Sequence, residues 1–426
     1  MSKNKNKNFM HNPILAENIF VPDAEAHVWE DGRIYIYGSF DIQGRRAYCS
    51  DEYHVYSSDN MVDWTDHGVS FSLKDIDWID DKDGGYMALY APDCAYRDGK
   101  YYLYYCIPGG KCGVAYSDKP YGPFTDIGQI EHVEGIDPAV FIDDDGQAYL
   151  YWGQFDRVRV AKLKDNMTEI EPETAVQPLS VAEHEFHEGS SMRKINGKYY
   201  YLFTDTHRHG GKACCLGYAV SDNPMTGFRY GSVIIDNYSC DPKTWNNHGS
   251  IECFKGQWYV FYHRSTHCSE NSRHVCVERI NINADGSIDE AEMTSSGAGE
   301  FIPADAVVPA CYACGLEGNV RIAGDGFSRH TLALTGIQPG DIAVFRYIGF
   351  DGENFLSLRI KSDRDCTVEV YIDENLHASA PVKPGNDYAE YDIRIAPIFG
   401  KHTVKFKFTG EFESAAFDEF LFKREE

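Results

Sequence analysis

One short pattern occurs five times and limits what this chain can fold into. A turn ending in glycine is followed at once by a Tyr-rich run. The copies are Asp31-Gly32-Arg33-Ile34-Tyr35-Ile36-Tyr37, Asp98-Gly99-Lys100-Tyr101-Tyr102-Leu103-Tyr104, Asp145-Gly146-Gln147-Ala148-Tyr149-Leu150-Tyr151, Asn196-Gly197-Lys198-Tyr199-Tyr200-Tyr201-Leu202 and Lys255-Gly256-Gln257-Trp258-Tyr259-Val260-Phe261. Asp-Gly and Asn-Gly suit two-residue hairpins, because both central residues tolerate positive φ. The aromatic run after each turn suits a strand. Successive turn glycines are 47 to 67 residues apart, about the length of a four-stranded sheet with its loops. A second pattern echoes the first: Tyr116-Ser117-Asp118-Lys119-Pro120 and Val220-Ser221-Asp222-Asn223-Pro224, with a looser copy at Tyr56-Ser57-Ser58-Asp59. Nothing long reads as a helix. Five hairpins of one design at blade spacing predict a five-bladed β-propeller, in preference to a sandwich with similar hairpins.

The repeats stop near Asp285-Gly286. Residues 294–303, Thr-Ser-Ser-Gly-Ala-Gly-Glu-Phe-Ile-Pro, read as a linker. Beyond it the pattern turns to plain alternation, as in Phe355-Leu356-Ser357-Leu358-Arg359-Ile360 and Thr403-Val404-Lys405-Phe406-Lys407-Phe408. Period-two segments separated by turns predict an antiparallel β-sandwich. The expected organisation is therefore all-β: a propeller over residues 1–293, a linker over 294–303 and a sandwich of jelly-roll type over 304–426.

Charge and targeting signals narrow the partners. The net charge is −26, a field that repels nucleic acid and is indifferent to a neutral sugar. No run of about 18 apolar residues is present, so no membrane span is expected. The basic start, Met1 to Asn8, is not followed by an apolar run of signal-peptide length. The 13 cysteines are scattered, and the spaced pair Cys311 and Cys314 has no second half to complete a zinc site. Reduced thiols and a cytoplasmic location are the expectation.

The repeat also serves as a ruler. Nine residues before each turn glycine stand Asp23, Tyr90, Asp137, Glu188 and Asn247. Three of the five are carboxylates. With 66 acidic residues among 426, that is a rare coincidence. If the strand beginning there lines the propeller axis, the three carboxylates face one another at one end of the channel. Crowding and burial separate the pKa values of such groups, leaving one ionised and another protonated. Glycosidic cleavage needs such a pair. Tyr90, Trp29 and Trp152 are the aromatic candidates for stacking on a sugar. His248 is one step past the fifth equivalent position, where it bonds substrate, holds an ion or is merely structural.

These segments together resemble family 43 glycoside hydrolases over about residues 12–290. The carrying residues are Pro22-Asp23-Ala24-Glu25-Ala26-His27-Val28, Tyr90-Ala91-Pro92-Asp93, Gly135-Ile136-Asp137-Pro138-Ala139, Glu188-Gly189-Ser190-Ser191 and His248-Gly249-Ser250. The resemblance implies an inverting hydrolase in which Asp23 is the general base, Glu188 the general acid and Asp137 the residue that tunes and orients the acid. It implies no cofactor for the chemistry and a structural calcium at the axial His248. Ala24 stands where the family commonly has proline. The segments do not match a related fructoside-cleaving clan, whose signals are Asn-Asp-Pro-Asn, Arg-Asp-Pro and Glu-Cys. Residues 304–426 resemble a family 6-type carbohydrate-binding jelly roll, through His402-Thr403-Val404 and Phe417-Asp418-Glu419-Phe420. The expected activity is release of pentose units from plant-type oligosaccharides, with α-L-arabinofuranosidase ahead of β-xylosidase. The rival of another class is a non-catalytic carbohydrate-binding propeller, which has no need of three equivalent carboxylates.

Overall fold

A computed structural model describes residues 8–79, 85–241, 244, 246–324 and 332–425; the basic stretch before Asn8 lies outside them. Five sheets form in chain order. The first holds Glu25–Val28, Ile34–Tyr37, Glu52–Ser58 and Thr65–Ser72 (β1–β4). The second holds Tyr90–Arg97, Lys100–Ile107, Lys111–Ser117 and Thr125–Glu134 (β5–β8). The third holds Ala139–Ile142, Ala148–Trp152 and Arg159–Leu163 (β9–β11). The fourth holds Phe186–Ile195, Lys198–Asp205, Cys215–Ser221 and Arg229–Asp236 (β12–β15). The fifth holds Ser250–Phe254, Gln257–Thr266 and Ser269–Ile280 (β16–β18). The first strands form a closed ring, with β1 touching β5 and β16, and β9 touching β5 and β12. The sheets are the blades of a five-bladed propeller.

The repeat explains the geometry. At Asp98-Gly99, Asn196-Gly197 and Lys255-Gly256 both turn residues have positive φ, as a two-residue hairpin demands. At Gly32 and Gly146 only the glycine does, and the preceding Asp side chain accepts from the backbone N–H of Arg33 or Gln147. The strand after each turn is covered on both faces because blades stack face to face. Its apolar run is therefore nearly continuous instead of alternating. This also accounts for the tyrosines. Tyr37 donates to the Pro120 carbonyl, Tyr104 to Met167, Tyr151 to Pro224 and Tyr200 to Gly286. Each ring fills space between two blades, and each hydroxyl is satisfied on the next one.

The ring closes through its two ends. Ile14 N–H donates to the Val275 carbonyl at 3.1 Å. The fully buried Asn12 amide donates to Val277 O, Glu278 Oε1 and Thr294 O and accepts from Val277 N–H. Asn12→Ala removes all four bonds and strands buried partners in the fifth blade. It is expected to cost about 2–4 kcal/mol, read as a lower denaturant midpoint; a midpoint unchanged from wild type would show that closure does not depend on this amide.

The C-terminal strands join in one hydrogen-bonded network of ten, with the β-sandwich character expected from their alternation. Two strands, Ile342–Ser362 and Ala389–Gly410, run 21 and 22 residues. Register shifts between Phe345 and Ile348 and between Asp351 and Phe355 bend them, as bulges do. Phe345, Phe406, Phe417, Phe420 and Phe422 meet largely edge to face inside. Residues 294–303, read as a linker, are a packed seam instead of a free spacer. Ile302 is fully buried and pairs with Ile348, while Thr294 N–H and hydroxyl both donate to Glu278. Composition alone hides this, since small polar residues suit a tight buried crossing as well as an exposed one.

Candidate active site

The ruler positions converge as its arithmetic requires. Asp23, Asp137 and His248 stand just ahead of β1, β9 and β16; Tyr90 opens β5 and Glu188 lies near the start of β12. All occupy the same end of the inner ring and line one cavity of about 400 Å³, within the range of small-molecule sites. Asp23 and Asp137 share a left-handed backbone, with φ of 58° and 55°. Asp tolerates this conformation better than most residues. A bulge on each side of Glu188 aims its side chain into the cavity. Gly189 is needed for space as well as for its φ of +74°: a Cβ there would come within 2.8 Å of the His248 ring.

The three carboxylates occupy different electrostatic environments. Asp23 is 6% exposed. Burial alone would raise its pKa, but the guanidinium of Arg273, with the Ser39 hydroxyl, holds it below the usual carboxylate value. Arg273 Nη1 donates to Asp23 Oδ1 at 2.9 Å and Ser39 Oγ to Oδ2 at 2.7 Å. Asp41 grips the same guanidinium through Nε and Nη2, both at 2.9 Å. His263 accepts from the Asp23 backbone N–H and faces Asn246 with its other nitrogen; burial lowers its pKa to about 3, so it is neutral. Asp137 is pushed the other way, well above its usual value, first by burial and then by the charge of Glu188. Gln154 donates to Glu188 Oε2, and His187 lies 3.9 Å from the same oxygen. The cavity therefore presents Asp23, held toward its ionised form, and Asp137, held toward its protonated form beside Glu188.

Two aromatic expectations do not hold. Trp152 is 3% exposed and packs in the core shared by the second and third blades, beneath Gly135. Its strand returns to the cavity, but the side chain that enters is that of Gln154, two residues on. Trp29 lies at the other end of β1 from Asp23, stacked on His27. Tyr90 does line the cavity, joined by Tyr48, whose ring lies under the Arg273 guanidinium at 4.9 Å. Sequence reasoning missed Arg273, Ser39, Asp41, Gln154, His263 and Asn246. Ser39 and His263 share one repeat position, seven residues after the turn glycine, but that position reads Ser39, Cys106, Gly153, Thr204 and His263, and no common residue type marks it.

His248 was expected to hold calcium, an ion that takes about six to eight oxygen ligands. The carboxylate beside its ring is Asp23, 3.7 Å away and already bound to Arg273 and Ser39. Among the described residues His248 belongs to no group of three donor side chains within mutual reach. This donor set does not fit a protein-caged calcium. Burial lowers the His248 pKa, so its neutral ring serves as a wall against Asp23 and Gly189.

The far half of the axial channel holds a second charged network. Glu25 Oε1 lies 2.7 Å from Arg193, and His27 Nε2 lies 2.7 Å from Asp93 Oδ1. Burial pushes both Glu25 and Asp93 up to about 7. The folded state therefore binds protons that the unfolded chain releases. This contribution is complete below about pH 4 and is lost as pH rises through 7. Glu25→Gln fixes the neutral form. It is expected to match wild type near pH 5 and exceed it at pH 8 by on the order of 2–3 kcal/mol. Denaturant unfolding at the two pH values checks this; the same offset at both would contradict it.

The glycosyl hydrolases family 43 model matches residues 10–288, the span of the five blades. A xylosidase/arabinosidase of Thermoclostridium stercorarium is 32% identical, with 94% of this chain and 96% of that protein covered. The family 43 arabinoxylan arabinofuranohydrolase of Bacillus subtilis, solved in complex with cellotetraose, superposes with a TM-score of 0.57 at 26% identity, covering 97% of each chain. CoXyl43, a family 43 β-xylosidase/α-arabinofuranosidase from a compost microbial metagenome solved with xylotriose, gives 0.58 at 32% identity, covering 67% of this chain and 98% of its own. With the fold, the cavity and these similarities in agreement, the chain belongs to glycoside hydrolase family 43 and is a hydrolase of O-glycosyl bonds.

Proposed function

We propose that the protein is an inverting α-L-arabinofuranosidase acting on short plant-type oligosaccharides. The observation that carries the arabinose preference is coverage. The arabinoxylan arabinofuranohydrolase matches this chain through both the blades and the C-terminal strands, 97% of each chain. The β-xylosidase of Xylanibacter ruminicola matches 63% of it. The second reading, a dual xylosidase/arabinosidase, is favoured by the Thermoclostridium relative, which also spans both parts.

In this mechanism Asp23, ionised beside Arg273, takes a proton from a water that attacks the anomeric carbon. Burial and the neighbouring charge of Glu188 favour the protonated form of Asp137. Glu188, with a quarter of its side chain exposed, delivers a proton to the leaving oxygen. Asp137, 6% exposed and facing the Gly189 N–H, positions it. Attack by water in one step inverts the anomeric centre. No metal takes part in any step.

Hydrolysis of aryl α-L-arabinofuranoside and aryl β-xyloside, followed by NMR of the first sugar released, tests the reading. The expected result is faster turnover of the arabinofuranoside, with β-arabinofuranose appearing first. Faster turnover of the xyloside would move the assignment to the second reading, and first release of the α-anomer would end the inverting mechanism.

A further inference from the structure

A separate group of donors lies beside the catalytic cavity. Cys215 opens β14 and Asp236 closes β15, and the two are register partners, so their side chains share one face of the blade. His209, with φ of 54°, precedes Gly210 and Gly211, both at positive φ. That turn folds its ring back over the pair. His209 Nε2 lies 2.7 Å from Asp236 Oδ2. One donor atom from each of His209, Cys215 and Asp236 falls within 4.8 Å of the others.

We infer that His209, Cys215 and Asp236 form a binding site for a transition-metal dication of the zinc type, with water as the fourth ligand. Zinc accepts a thiolate, an imidazole and a carboxylate together, whereas calcium and magnesium favour oxygen ligands throughout. Tetrahedral zinc with bonds of about 2.0–2.3 Å spaces its ligand atoms about 3.5 Å apart, so the His209–Asp236 pair would open from 2.7 Å, with all three donor atoms already within 4.8 Å of one another. The imidazole is exposed and the sulfur buried, which leaves the imidazole side open for ion entry and water. Tyr238 stacks on the His209 ring at 4.0 Å and fixes its orientation. Arg208 is the opposing charge, 3.5 Å from Asp236 Oδ2, but it already pairs with Glu290 at 2.6 Å and can yield to the ion.

The location gives the site a consequence. The ion would tie the segment between β13 and β14 to the ends of β14 and β15. That segment ends in Ala213, which lines the catalytic cavity, and Cys214, whose carbonyl accepts from Asn247 at 3.0 Å.

Cobalt(II) titration of the full chain tests the site, because a thiolate ligand gives a near-ultraviolet charge-transfer band that oxygen and nitrogen ligands do not. The band is expected in wild type and in Cys214→Ser and absent from Cys215→Ser. Competition with zinc is expected to show at least tenfold weaker binding in His209→Ala, an exposed position that leaves the fold intact. Retained hydrolysis of the aryl glycoside checks that each variant is folded. Absence of the band from wild type, or its persistence in Cys215→Ser, would overturn the assignment, as would unchanged zinc affinity in His209→Ala.

Discussion

Asp23→Ala and Glu188→Ala are each expected to lower kcat/KM on a natural oligosaccharide by about 10²–10⁴-fold, the range of general acid–base catalysis. The two losses should differ in kind. With Glu188 as the proposed acid on the leaving oxygen, its removal should matter little when the leaving group is a nitrophenol that departs without a proton. With Asp23 as the proposed base on water, its removal should be equally severe for every leaving group. Comparing nitrophenyl with alkyl or sugar aglycones for each variant separates the roles. If Glu188→Ala is equally impaired on both, Glu188 is not the acid. If Asp23→Ala recovers on the nitrophenyl substrate, the two assignments must be exchanged.

Arg273→Met is expected to harm the protein in two measurable ways. The guanidinium is 5% exposed and lies between Asp41 and Asp23. Its loss leaves two buried carboxylates without their cation, at a cost of about 3–5 kcal/mol, seen as a lower melting temperature. The second effect concerns pH. Burial tends to raise the Asp23 pKa and Arg273 counteracts it. Without Arg273 the base should protonate at higher pH, moving the acid limb of the kcat/KM profile toward neutrality. Arg273→Lys keeps the charge but loses the two-pronged grip on Asp41, so its acid limb should move less than that of Arg273→Met. An unmoved acid limb in a folded Arg273→Met protein would show that Asp23 does not depend on this cation.

The legibility of this chain follows its repetition. Where five blades supply five equivalent positions, as at Asp23, Tyr90, Asp137, Glu188 and Asn247, one sequence contains its own alignment, and convergence on the axis can be deduced. Arg273 comes from the third strand of a single blade, Ser39 from the loop after β2, and Gln154 from beyond β10. Arg273 lies within a strand and Ser39 shares its offset from the turn glycine with His263, but no common residue type marks these positions from blade to blade. The aromatic expectations failed for a related reason. Trp29 and Trp152 are near carboxylates along the chain, but proximity in sequence does not say which end of a strand, or which face, a ring occupies. Residues 294–303 read as a linker from their Thr, Ser and Gly content, but here those small residues let the backbone pass between packed layers.

Ring closure has a consequence for synthesis. Asp23 stands in the first blade and Arg273 in the fifth, 250 positions later. A nascent chain carries the proposed base, Asp23, long before it carries the cation that favours its ionised form. Until the last strand of the fifth blade emerges and Asn12 and Ile14 dock on it, the site has its carboxylates but not their intended charge states. The strand on which Asn12 and Ile14 dock to complete the ring is also the strand that brings Arg273 to Asp23.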